Sequence, residues 1–191
     1  LRRLHFDLAI VDLSMPGMSG LELIRRIKSG FPGVKVLNRG FGGNQIKDST
    51  HYAERMIFPY EPSVIVLRAG GNDINAGWPA EAVFEDFKKF VTKIRTRFPM
   101  VPVAYIGLSP TVKREVQIAE GNKLNDLIAA YAEKEPGVSY IETRTSTLGA
   151  DGKPRADLHV ADMLHYNEAG YKILADLVRP EVMKLIKKAA Q

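Results

Sequence analysis

Three short motifs in this chain carry residue types that do chemistry. Residues 162 to 171 read DMLHYNEAGY, which puts Asp162 three residues before His165 with a helix-like segment directly behind both. Residues 38 to 43 read NRGFGG, and residues 70 to 73 read GGND. An imidazole can take a hydroxyl proton near neutral pH and return it to a leaving group, while a carboxylate partner fixes its tautomer and stabilises the imidazolium. A separation of three residues lets one short loop present both side chains to the same site. Each motif also has a plainer reading. Asp-x-x-His is commonly a helix-capping turn, GGND a loop, and NRGFGG a strand-to-helix turn.

The elements that must position these motifs alternate between apolar runs and helical stripes, the pattern of a parallel α/β sheet. Strands are expected at 6 to 11 (FDLAIV), 34 to 37 (VKVL), 63 to 67 (SVIVL), 101 to 107 (VPVAYIG) and 138 to 141 (VSYI). They read as continuous apolar runs, as strands covered on both faces do. Val83, Phe87, Phe90, Val91 and Ile94 recur at helical spacing from a start near Pro79. Val116, Leu124, Leu127, Ile128 and Tyr131 suggest a second helix with Gly121 weakening its middle; Ile173, Leu174, Leu177 and Val178 suggest a last one, which Pro180 kinks or ends. In such sheets ligands gather beyond the carboxyl ends of the strands. The polar residues fall there: Ser14 after the first strand, Gly42 and Gly43 after the second, Asn72 and Asp73 after the third.

Composition bounds the rest. The chain has 191 residues, 45% of them hydrophobic and 26% charged, which suits one domain with a full core. No cysteine is present, so disulfide scaffolds and thiolate metal sites are excluded. His5, His51 and His159 have no shared metal-ligand spacing, and neither a metal nor another cofactor is expected. His159 reads as a surface histidine, and Trp78 as either a wall of the site or core packing. Asp73 is expected to order its loop by hydrogen bonding. The net charge of +5 comes from scattered Lys and Arg with acids between them, unlike the clustered footprint of a nucleic-acid-binding face. No apolar run approaches the ~20 residues needed to span a bilayer. No signal peptide is evident in LRRLHFDLAIV, which favours the cytoplasm for the chain as it stands. The expected partner is a small molecule rather than nucleic acid or membrane, with the oligomeric state open.

From about residue 34 to the end, NRGFGG, GGND and DMLH resemble the second, third and last motif blocks of the SGNH or GDSL hydrolases, a family of esterases and lipases. That resemblance implies a flavodoxin-like three-layer α/β/α sandwich on a five-stranded parallel sheet. It also implies His165 as general base, Asp162 as the carboxylate that orients it, and Gly43 and Asn72 as oxyanion-hole donors. The residue types agree. A backbone N–H approaches a substrate best where no side chain intervenes, and an Asn amide can be aimed at developing negative charge.

The first block departs from the pattern. Where the family has Gly-Asp-Ser-Leu, this chain has IVDLSMPGMSGLELIRRI at 10 to 27, which resembles a response-regulator receiver around its phosphorylated aspartate, with Asp12 matching the phosphoacceptor. A working receiver also needs an acidic pair after an earlier strand, and LRRLH supplies neither. Asp12 alone cannot assemble the oxygen shell that Mg²⁺ requires. The expectation is a chimeric start in which residues up to about 30 contribute a receiver-like strand, loop and helix to a single domain spanning 1 to 191.

Ser14 is then the candidate nucleophile and contributes its own N–H to the oxyanion hole, although it stands two residues after Asp12 where the family serine directly follows its aspartate. Ser19 is the runner-up. A helix cap or loop role for Ser14 is the plainer reading. The expected activity is hydrolysis of short-chain acyl or acetyl esters through a Ser-His-Asp triad. The alternatives are a catalytically silent scaffold of the same fold and a receiver-like signalling module.

Overall fold

The apolar runs assemble into one parallel sheet. A computed structural model describes residues 8 to 11 and 36 to 189. Strands β1 (Leu8–Val11), β2 (Val36–Asn38), β3 (Ile65–Leu67), β4 (Val103–Ile106) and β5 (Val138–Ile141) lie in the order β2-β1-β3-β4-β5. Every neighbouring pair is parallel. The connections are α1 (Ile46–His51), α2 (Ala53–Met56), α3 (Gly71–Asn75), α4 (Ala80–Arg97), α5 (Ile118–Ala132) and, after β5, α6 (Glu168–Ala189). This is the doubly wound order in which the winding reverses between β1 and β3, and ligands collect at that reversal.

Alternation along the strands builds the layers, because successive side chains point to opposite faces. Ile65, Leu67, Val103 and Tyr105 join Phe87, Phe90 and Ile94 of α4 with Leu124 and Ile128 of α5 in one buried cluster. Val66, Ala104 and Ile106 join Tyr171, Leu174 and Val178 of α6 in the other. The result is an α/β/α sandwich.

Several boundaries differ from the sequence expectation. β3 and β4 are shorter than their apolar runs, with ladders confined to 65 to 67 and 103 to 106, because pairing ends where the chain turns to enter the next connection, whereas β5 spans the expected 138 to 141. Val116 does not belong to the stripe of α5. It is 94% exposed and sits in a 3₁₀ segment, Val112–Gln117, that precedes the helix. Gly121 interrupts nothing, and α6 runs on through Pro180, which removes one backbone donor without ending the helix. His159 is buried rather than on the surface, its ring 5.0 Å from that of Tyr166. Trp78 is half exposed and is not core. Asp12, Ser14, Ser19 and His5 lie outside the described residues. Among the described residues no helix is long and apolar enough to cross a membrane.

Candidate active site

A cavity opens at the carboxyl ends of β3 and β4. Its lining includes Arg68, Gly70, Gly71, Asn72, Ser109, Arg114 and His165. His165 arrives on the loop between β5 and α6, and local hydrogen bonding explains its pose. Asp162 Oδ1 accepts the backbone N–H groups of Leu164 and His165, both at 2.9 Å, while Oδ2 lies 2.5 Å from His165 Nδ1. Met163 takes a left-handed backbone (φ 57) to close this turn. The Val160 N–H donates to the His165 carbonyl at 2.9 Å and clamps the base of the loop.

The helix-capping reading of Asp162 is therefore not what this structure contains. The cap of α6 is Asn167, whose Oδ1 accepts the Gly170 N–H at 3.1 Å. An Asn immediately before a helical stripe is a recognisable start signal, and it identifies this cap in the sequence. With three donors on its carboxylate, Asp162 is held well below the usual carboxylate range, first by the His165 ring and then by the two backbone N–H groups. Asp162 itself stands behind the imidazole and does not line the cavity.

Asn72 lies in the first turn of α3, so GGND is a helix start rather than a free loop. Gly70 enters that turn at φ 112, and a Cβ there would come within 2.9 Å of Leu124 Cδ2 and 3.3 Å of the Tyr105 hydroxyl, which requires glycine. The buried Tyr105 hydroxyl donates to the Ala69 carbonyl at 2.7 Å and holds the strand end beneath the turn. Asn72 Nδ2 donates to the Asn44 carbonyl at 3.0 Å, and Asn72 Oδ1 accepts from Arg114 Nη2 at 3.0 Å.

Gly43 lies three residues before the start of α1 with φ 78, exposed, and with open space where a Cβ would stand. It is not among the residues lining the cavity. Its link to the cavity runs through Asn44, whose carbonyl holds Asn72. Asn44 is itself buried, with Nδ2 donating to Ser49 Oγ at 2.9 Å. A hydrogen bond from Asn72 thus ties the third motif block to the residue that follows the second.

Asp73 does order its loop: Oδ1 accepts the Ile46 N–H at 3.2 Å, tying α3 to the start of α1. Burial pushes this carboxyl up to about 6, with Asp86 and Asp48 adding to the rise and the Ile46 N–H opposing it. The consequence for stability has a definite sign. A carboxyl whose folded value is raised keeps its proton where the unfolded chain has already lost it, so its contribution is fullest below about 3.8, falls as pH rises to about 6, and is then constant. The shift corresponds to at most about 3 kcal/mol. Asp73→Asn keeps the Oδ1 acceptor and removes the titration. Urea melts at pH 4 and pH 8 should show the variant gaining on wild type by about 1 kcal/mol or more at the higher pH. A gap that does not change with pH would show that Asp73 does not titrate there.

The cavity wall is electropositive. Arg68 and Arg114 line it and, among the described residues, no carboxylate does. Also among the described residues, no group of three or more His, Asp or Glu is arranged to hold a metal. Sequence reasoning missed Arg114, which is 42 residues from Asn72 and has no motif of its own, and Asn125, whose buried amide brackets Leu108 at the end of β4 with two 2.8 Å hydrogen bonds.

A family model of the GDSL-like lipase/acylhydrolases matches residues 18 to 173, and the chain belongs to that family. It is a carboxylic ester hydrolase of the SGNH or GDSL type. The matched span begins after Ser14. Solved structures share the fold at low identity. An acetyl esterase variant with an acetate ion is 16% identical with a TM-score of 0.74, covering 97% of this chain and 99% of that one. An acetyl-xylooligosaccharide esterase from Geobacillus Stearmophilus is 13% identical with a TM-score of 0.73, covering 95% and 96%. A carbohydrate esterase family 3 protein from Talaromyces cellulolyticus is 16% identical with a TM-score of 0.71, covering 97% and 99%. A different likeness is confined to a fragment. The two-component response regulator PhoP from Pseudomonas aeruginosa is 51% identical over 39 residues, 19% of this chain and 17% of the regulator.

Proposed function

We propose that this hydrolase cleaves short-chain acyl or acetyl esters through a Ser14-His165-Asp162 triad. Ser14 Oγ attacks the ester carbonyl while His165 takes its proton; Asp162 orients the imidazole and stabilises its charged form. The oxyanion is received by the backbone N–H groups of Ser14 and Gly43 and by the Asn72 amide. The tetrahedral intermediate collapses as His165 protonates the departing alcohol, and water activated by the same imidazole then releases the acid.

The observation that carries this reading is the pairing of an Asp162-braced His165 with Asn72 across one cavity. β1 adds support: Val11 is in register with Leu67, so the chain leaves β1 at the edge from which Gly70 and Asn72 also emerge, and Ser14 follows three residues later. The same pairing motivates a single domain in which the receiver-like segment supplies the first strand, flanked on both sides in the sheet. The acetyl preference rests on the kind of esterase that shares the fold.

A fluorophosphonate probe tests the nucleophile directly. Labelling is expected on the peptide that contains Ser14, and it should vanish in both Ser14→Ala and His165→Ala. Label on Ser19 would move the nucleophile along the loop. No label in a folded protein would favour the silent scaffold.

A further inference from the structure

The amide of Asn72 is held between two partners that allow only one orientation. Arg114 is a donor without acceptor capacity and the Asn44 carbonyl is an acceptor without donors, so the oxygen must face the guanidinium and the nitrogen the carbonyl. One hydrogen of Asn72 Nδ2 is committed to Asn44; among the described residues the other has no acceptor and is left for a ligand. Arg114 Nη1 also donates to the Gly71 carbonyl at 2.9 Å, so one planar fork grips both the side chain of Asn72 and the backbone just before it.

The segment carrying Arg114 is anchored to the opposite wall. The Lys113 N–H donates to the Met163 carbonyl at 2.9 Å, inside the turn that presents His165. Within the described residues the partners of Arg114 are the Gly71 carbonyl and the Asn72 amide oxygen, with no acid at ion-pair distance, and it lines the cavity. Its charge is therefore spent on neutral acceptors beside the site. A charge-assisted hydrogen bond to an amide oxygen draws electron density from the nitrogen and makes the remaining N–H a better donor.

We propose that Arg114 is a positioning residue for the oxyanion donor, fixing which end of the Asn72 amide faces the substrate and strengthening that N–H. This rests on the oxyanion role proposed above for Asn72. Arg114 acts through Asn72 rather than on the ester, and its charge assists most when negative charge develops on the carbonyl oxygen. Turnover should therefore suffer more than substrate binding.

The test combines kinetics on p-nitrophenyl acetate with ¹⁵N spectra of the Asn72 side-chain amide, assigned by its disappearance in Asn72→Ala. Arg114→Met is expected to lower kcat by ~10–100-fold with KM changed less than ~3-fold. The same change in an Asn72→Ala background should cost under ~2-fold, because the group it positions is already gone. Arg114→Lys, which keeps charge without the fork, should fall between the two. The Asn72 amide protons should exchange with water about tenfold faster in Arg114→Met than in wild type.

A loss of the same size in the Asn72→Ala background would overturn the proposal, as would an Asn72 amide that exchanges identically with and without Arg114. If Arg114→Met does not fold, Arg114→Lys carries both measurements. If the wild type hydrolyses no ester, the esterase reading fails, and the amide exchange still decides whether Arg114 holds Asn72.

Discussion

Replacing His165 by alanine is expected to lower kcat by ~10⁴–10⁶-fold, the largest effect of any single change in this chain besides loss of the nucleophile. Among the described residues at the cavity the imidazole is the group best suited to accept a hydroxyl proton and return it, since Arg68 and Arg114 are donors without acceptor capacity, no carboxylate lines the wall, and a phenol such as that of Tyr166 or Tyr171 is a far weaker base than imidazole near neutral pH. Among the described residues its ring makes one hydrogen bond, to Asp162, whose other oxygen keeps two backbone partners without it. The loop should therefore survive, and a thermal melt should move by only a few degrees. Single-turnover hydrolysis of p-nitrophenyl acetate checks the rate. Activity within tenfold of wild type in a folded variant would remove His165 from the mechanism.

Asp162→Asn should cost ~10³–10⁴ in kcat with KM nearly unchanged. The substitution preserves Oδ1 as an acceptor for the Leu164 and His165 N–H groups, so the turn is kept. The new amide, however, presents a donor to His165 Nδ1 where the carboxylate presented an acceptor. The imidazole must then carry its proton on Nε2, the nitrogen that has to receive one. Because the wild-type carboxyl is held below its usual 3.8, it stays charged above that value, and its support for the loop is lost only as acid pushes pH lower still. A variant that loses KM and kcat together, or melts far below wild type, would show that Asp162 matters for loop structure alone.

The motif blocks were legible because their residue types are chemically specific and their order follows successive strands. Asp162 and His165 are three residues apart, so a local turn is enough to bring them together, and the hydrogen bonds of that turn are the ones their spacing allows. Asn72 and Gly43 were legible as positions, but the bond from Asn72 to Asn44, the residue after Gly43, spans 28 residues and follows from no local pattern. Arg114 was invisible for the same reason. Val116 misled because an apolar residue at helical spacing looks the same whether the helix has begun or not, and the 3₁₀ segment before α5 turns it to solvent.

The sequence by itself determined the parallel α/β class, the order of the motifs and the pairing of Asp162 with His165, all of which depend on periodicities and separations of a few residues. Only the tertiary structure decided that β1 lies between β2 and β3 and that Asn72 is clamped between Asn44 and Arg114. The physical reason is the range of the interactions. Hydrophobic period and turn chemistry act within a few residues and are written along the chain. A hydrogen bond between groups tens of residues apart exists only once the sheet has set their distance.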